Sequence, residues 1–125
     1  MNSMIFNVTK KVSLLNDELE LVQKKVDKNF LHSYEWGYLD DMYLLNQRIA
    51  IMEDFACSME RKQQNDEEAG LPVYEYDIFK SLYEGLVQYY LGMEIGRSSL
   101  AASNKASELR MKAVILSINE LKWYL

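Results

Sequence analysis

A hydrophobic repeat from Phe79 to Leu125 limits the fold of this chain more than any other feature. Residues taken at alternating steps of four and three lie on one face of an α-helix, because the backbone turns once every 3.6 residues. The steps keep one register and meet no proline. They fall on Phe79, Tyr83, Leu86, Tyr90, Met93, Arg97, Leu100, Asn104, Ser107, Met111, Val114, Ile118, Leu121 and Leu125. The repeat predicts long amphipathic helices.

A second apolar stripe lies on the opposite side of the same segment, at steps of seven. We call it the far stripe; its members are Ile95, Ala102, Leu109, Leu116 and Trp123. A helix with apolar residues on opposite faces has to be covered twice, by its own bundle and by another surface. We therefore predict that Ile95, Leu109, Leu116 and Trp123 bind a partner protein.

Composition favours a single all-α domain over residues 1–125. One proline and five glycines in 125 residues leave few turns, and 49% hydrophobic content is enough for a substantial core. The expected architecture is a three- or four-helix antiparallel bundle of long, heptad-patterned amphipathic helices. No apolar run reaches the ~18 residues of a membrane span, and the first residues do not resemble a signal peptide. With a single cysteine, these features predict a cytoplasmic protein that does not insert into a membrane.

The first half of the chain, residues 4–63, contains two predicted helices. The first runs from about Met4 to Asn29 with a narrow apolar seam. The second runs from about Tyr38 to Gln63 and has the widest apolar face, so we expect it at the centre of the core. The aromatic cluster between them, within residues 30–38, either closes one end of the bundle or forms a binding patch.

Residues 64–73 are predicted to form an acidic loop that separates this half from the helical half 74–125. Residues 65–77 carry five acids and no base. After the loop, Tyr74 and Tyr76 alternate with Glu75 and Asp77. This pattern favours tyrosines folded onto the core at the start of the third helix. The alternatives are a docking strip for a basic partner, with Tyr74 and Tyr76 at the rim of the partner-binding surface, or a site of tyrosine modification.

The third predicted helix spans about Glu75 to Ile95. Gly85 and Gly92 lie on one face of it and would permit close approach of another backbone. A break at 96–99 would separate it from a fourth helix; without a break, one helix of ~70 Å would result. Polar residues at seam positions, namely Arg97, Asn104 and Ser107, either set the helix register from inside the core or lie where the seam opens to water.

Several chemistries have no support in the sequence. His32 is the only histidine, and no Glu-x-x-His pair exists for a two-metal site. Cys57 lies beside apolar helix positions and is interpreted as inert packing. Arg48 and Arg97 are the candidate contacts for an anionic substrate. We expect no enzyme activity, no cofactor and no metal.

The expected function is a non-catalytic protein-binding module that acts as a small acidic adaptor, a chaperone-like carrier or an inhibitor. Its partner is a protein of unknown identity, and the chain itself is expected to be a homodimer. An alternative is a structural coiled-coil subunit whose far stripe is its own dimer seam. A second alternative is a regulator of a nucleic-acid-bound complex, although a net charge of −5 disfavours direct nucleic-acid binding.

Overall fold

A computed structural model of the chain describes residues 3–28, 37–99 and 105–125, with only the backbone described for residues 95–99. All regular structure in these residues is helical. The helices are α1 (Met4–Lys28), α2 (Tyr38–Glu68), α3 (Glu75–Ser99) and α4 (Lys105–Lys122). They pack against one another, so the predicted all-α bundle is confirmed.

Successive helices run antiparallel. Thr9 of α1 lies beside Cys57 and Glu60 near the end of α2, and Phe79 near the start of α3 contacts Tyr124 just beyond α4. The helices α1 and α3 therefore begin at the same end of the bundle, where α2 and α4 finish. We call this the Trp123 end.

Helix α2 is the central element and contacts each of the other three helices. Its wide apolar face explains this position. The buried residues on it are Leu45, Ile49, Ile51, Met52, Phe55, Ala56 and Met59. Helix α4 lies parallel to α2, as Lys105 pairs with Asp40 and Arg110 with Gln47. The prediction that the second helix is central is confirmed.

The main core draws residues from every helix. Its most buried side chains, each at most 1% exposed, are Val8, Leu15, Met52, Met59, Phe79 and Leu121. The Phe79 ring packs edge-on against Phe55, with ring centroids 5.0 Å apart. A smaller cluster joins Ile51 to Ala113, Val114 and Ile118 of α4. Burial of Val114, Ile118 and Leu121 confirms the seam read from the sequence.

Helix α2 extends beyond its predicted end at Gln63 and finishes at Glu68. The polar run that resembled a loop is helical because its side chains pair one turn apart. Lys62 lies 3.1 Å from Asp66, and the Gln64 amide donates to Glu68 at 3.2 Å. Lysine, glutamine and glutamate are also good helix formers. The connection is therefore shorter than predicted and covers residues 69–74.

Gly70 ends α2 in a left-handed conformation, with φ of 72°. The Leu71 amide donates to the Asp66 carbonyl at 2.8 Å, and the Gly70 amide donates to the Glu67 carbonyl at 3.1 Å. These two bonds form a Schellman motif, which satisfies the last carbonyls of a helix and favours glycine at this position. The turn fixes where the chain leaves α2 and approaches α3.

The predicted break at residues 96–99 lies inside α3, which continues to Ser99. Because α4 starts at Lys105 and packs on α3, the alternative of one continuous helix is wrong. Ser107 is exposed, so the seam is open to water there. The Arg97 side chain, Asn104, and the aromatic cluster up to Trp36 lie outside the described residues.

Gly85 and Gly92 have open space beside them. A β-carbon built at either position meets nothing within 4 Å, so none of the helices in the described ranges makes the predicted close approach. Each glycine therefore reduces helix stability without a packing gain inside the single chain.

Gly85→Ala and Gly92→Ala are each expected to raise the free energy of unfolding by about 1 kcal/mol, because alanine has the higher helix propensity and meets no neighbour. Urea denaturation followed by circular dichroism measures this. Destabilisation by either change would mean that another backbone packs against that glycine in solution.

The start of α1 is capped from another helix. A carboxylate oxygen of Glu75, at the start of α3, accepts hydrogen bonds from the backbone amides of Met4 and Ile5. Ser3 adds a local cap by accepting from the Phe6 amide at 3.0 Å. A carboxylate suits this place because helix N-termini present unpaired N–H groups and partial positive charge. Glu75 thus connects α1 to α3, which otherwise have little contact.

Glu75→Ala is expected to lower the free energy of unfolding by about 1–2 kcal/mol, since it removes an N-terminal cap. Glu75→Gln keeps an acceptor and should lose less. Glu84→Ala, on the exposed side of α3, is the matched control and should change stability by no more than about 0.5 kcal/mol. Equal effects of the alanine changes at 75 and 84 would contradict the capping role.

Candidate functional site

Four of the large apolar side chains at the Trp123 end are at least 50% exposed. Trp123 is 86% exposed, Tyr74 61%, Leu71 57% and Tyr76 50%. Three of them belong to the α2–α3 connection or the first turn of α3, and Trp123 follows the last residue of α4. Isolated exposed apolar residues are common on proteins, but a tryptophan this exposed is unusual.

Trp123 is exposed because its neighbour Tyr124 folds inward. The Tyr124 ring packs edge-on against Phe79 at 6.5 Å, and its hydroxyl donates to the Glu120 carboxylate at 2.8 Å. Adjacent side chains in a helical turn point about 100° apart. With Tyr124 held against the core, the indole of Trp123 extends away from it.

The surroundings of Tyr124 also change its acidity. Desolvation by burial is the main cause, and the hydrogen bond to Glu120 and the negative charge of that carboxylate add to it. All three raise the pKa of the Tyr124 phenol above its ordinary value. Tyr124 therefore stays protonated to a higher pH than an ordinary tyrosine.

Tyr74 and Tyr76 point away from the core, whereas Ile78 and Phe79 are buried. The favoured prediction that these tyrosines fold onto the core is wrong. Position 76 lies about 100° around the helix from the direction midway between residues 78 and 79, so Tyr76 is at the edge of the buried face of α3, which begins at Glu75. Tyr74 precedes the helix, in the connection from α2.

The exposed apolar residues have acidic surroundings. Residues 62–80, which end α2, make the turn and start α3, carry five acids and two lysines. One of these lysines, Lys62, already pairs with Asp66. Glu67, Glu68 and Asp77 are exposed. The segment that carries Leu71, Tyr74 and Tyr76 is therefore net negative, whereas Trp123 directly follows the exposed Lys122.

The far stripe is only partly exposed. Leu109 and Leu116 are half-buried, while Ala102 and the side chain of Ile95 lie outside the described residues. Leu109 also lies fourteen residues from Trp123, or about 21 Å along the helix. The structure therefore brings Trp123, Tyr74 and Tyr76 to one end and leaves Leu109 far from them.

A groove between α2 and α3 has no counterpart in the sequence predictions. Its volume is about 370 Å³, and its walls include Ile51 and Phe55 from α2, Leu82 and Gly85 from α3, and Arg110 from α4. Because these residues come from three helices, no single periodic pattern indicates the groove. The sequence feature that could have indicated the groove was Gly85, inside α3.

Cys57 is exposed, so its interpretation as a packed residue is wrong. It lies one position beyond the buried Ala56, in a shallow groove with Thr9, Glu53 and Glu60. Adjacent positions on a helix differ by about 100°, which is enough to move position 57 from the core to the surface.

Arg48, one of the two predicted anion contacts, lines a separate groove between α1 and α2. Its Nε is buried and has no hydrogen-bond partner. Glu18 and Asp41 line the same groove, so the local charge does not favour an anion. His32 lies outside the described residues. Within the described ranges no three histidine, cysteine or acidic side chains form a metal-binding group.

Comparison with known proteins gave no match to a family model, a curated protein or a solved structure. No helix within the described residues is long and apolar enough to cross a membrane.

Trp36→Phe leaves Trp123 as the only tryptophan, and its fluorescence should report a solvated indole. We expect emission close to that of free tryptophan in water and strong quenching by acrylamide, both unchanged on dilution. A blue-shifted emission that moves to the red on dilution would show instead that self-association covers Trp123.

Proposed function

We propose that the protein is a non-catalytic helical module that binds a partner protein through its Trp123 end. The observation that carries this proposal is the 86% exposure of Trp123 at the same end as Leu71, Tyr74 and Tyr76. Tryptophan and tyrosine are enriched among the residues that dominate binding energy at protein interfaces. An adaptor, a chaperone-like carrier and an inhibitor would each use such a surface.

The packed core at this end of the bundle favours binding by this surface. Phe79 and Leu121 are fully buried directly below it, and Tyr124 is fixed by its contacts with Phe79 and Glu120. A backbone held by a packed core does not have to be ordered when a partner docks, so less of the contact energy is lost to ordering.

The charge at this end indicates the kind of partner. The exposed acids Glu67, Glu68 and Asp77 lie in the same segment as Leu71, Tyr74 and Tyr76. A segment that combines apolar anchors with lysine or arginine would gain contact area and electrostatic attraction together. The proposed partner is therefore a basic, partly apolar protein segment.

The same charge disfavours the two alternatives. In a two-fold symmetric dimer through this end, each acidic surface would face its own copy and repel it. Nucleic-acid phosphates would be repelled in the same way. A structural homodimer would have to use another face, and it would leave Trp123 uncovered.

Affinity capture from source-cell lysate with wild type, Trp123→Ala, Leu71→Ala and Leu21→Ala tests the proposal. Leu21 on α1 is 60% exposed, similar to Leu71 at 57%, and serves as the matched control. We expect one stoichiometric partner with wild type and Leu21→Ala. Recovery should fall at least about tenfold with Trp123→Ala, as for an interface residue worth ~2 kcal/mol.

The dependence of capture on salt concentration provides a second test. Raising the ionic strength should weaken capture, because it screens attraction between the acidic surface and a basic partner. A partner that survives Trp123→Ala but is lost with Leu21→Ala would contradict the proposal. Recovery of the protein alone from every sample would favour the structural alternative.

A further inference from the structure

The groove between α2 and α3 has the dimensions and lining of a small-molecule site. Its volume of about 370 Å³ lies within the range of about 300–1,000 Å³ found for ligand pockets. Along α2 it extends from Ile51 to Ser58, which corresponds to ~10 Å of helix. Its floor is apolar, with Ile51 and Phe55 buried and Leu82 and Leu86 half-buried.

Arg110 provides a cation at one end of this groove. Its Nη1 donates to the Gln47 side-chain carbonyl at 2.8 Å, and its guanidinium carbon lies 6.0 Å from the centre of the Tyr89 ring. Both partners are neutral. No carboxylate in the described part of the chain lies within ion-pairing distance of Arg110. The charge is thus held in a fixed place, half-buried and uncompensated.

An uncompensated, partly desolvated guanidinium gains most from an anion that accepts its remaining hydrogens. The contacts with Gln47 and Tyr89 fix the guanidinium in advance, so binding an anion would cost little side-chain entropy.

Asp54 sets the orientation of a bound anion. It lines the groove seven residues beyond Gln47 on α2, or about 10 Å along the helix. Its negative charge therefore lies toward the other end from Arg110. An anionic head group is attracted at the Arg110 end and repelled at the Asp54 end.

Gly85 keeps the wall of the groove open. A β-carbon there would meet nothing within 4 Å, and the position faces the groove. Any larger side chain at 85 would fill space that is now free for a ligand. Gly92, one heptad further along α3, also has open space but does not line the groove.

We propose that the α2–α3 groove binds a small amphipathic carboxylate, with the carboxylate on Arg110 and an apolar tail over Ile51, Phe55 and Leu82. The site is separate from the Trp123 surface and does not depend on the proposed protein-binding function.

Isothermal titration calorimetry with octanoate and 1-octanol tests this site on the full chain. The two probes have the same tail and differ in head group. We expect one octanoate per chain, bound at least about tenfold more tightly than octanol, as for a charge-assisted hydrogen bond. Arg110→Gln should remove most of that difference.

Gly85→Leu is a second variant, and we expect it to fold because leucine is a better helix former than glycine and its β-carbon has room. It should weaken octanoate binding about tenfold or more by filling the groove. Gly92→Leu is the matched control and should leave the affinity within about twofold.

Absence of octanoate binding, equal affinity for octanoate and octanol, or full affinity in Gly85→Leu would each overturn the proposal. Sedimentation of the protein without ligand tests whether a second copy of the chain occupies the groove instead. A wild-type dimer that dissociates in Gly85→Leu but not in Gly92→Leu would assign the groove to a second copy of the chain and would also overturn it.

Discussion

The packing of Phe79 is the contact on which the Trp123 end depends. Its ring lies fully buried against Phe55 of α2 and Tyr124 beyond α4, in a cluster that also includes Val8 and Leu15 of α1. Residues from four segments therefore belong to the core cluster around Phe79. Removal of such a ring from a packed core typically costs about 3–5 kcal/mol, a large share of the stability of a small domain.

The same packing creates the exposed surface. Because Tyr124 is drawn inward to Phe79, Trp123 is turned outward, and Tyr76 lies at the edge of the helix face that Ile78 and Phe79 bury. The Schellman turn at Gly70 and the Glu75 cap on α1 hold the intervening connection in place. The backbone that carries the apolar surface is thus held by the core and by these two sets of hydrogen bonds.

The α2–α3 side of the bundle is built differently. Helix α4 packs directly along α2, through Ile51 with Val114 and through Gln47 with Arg110. Helix α3 leaves a gap beside α2, and Gly85 adds no side chain to fill it. The groove and the Trp123 surface are therefore independent consequences of one architecture in which α2 is central.

Hydrophobic periodicity was sufficient to predict the helices and much of the core. The seam residues Met111, Val114, Ile118 and Leu121 are all buried, since each repeats within one helix and needs no knowledge of its neighbours.

Features that depend on other elements were predicted poorly. The end of α2 was placed too early because polarity resembled a loop, although Lys62–Asp66 and Gln64–Glu68 pairs support a helix. The outward direction of Tyr74 and Tyr76 depends on where α3 starts. The cap by Glu75 and the position of Arg110 join residues far apart in the chain, and no local pattern contains them.

Site-specific photo-crosslinking in source cells tests the proposal that the Trp123 end binds a basic partner protein. A benzophenone side chain would replace Trp123 in one variant and Leu21, on the exposed face of α1, in another. We expect a covalent complex with one basic protein from position 123 and none from position 21. Crosslinks only between copies of the chain at position 123, or a partner captured from position 21 alone, would contradict it.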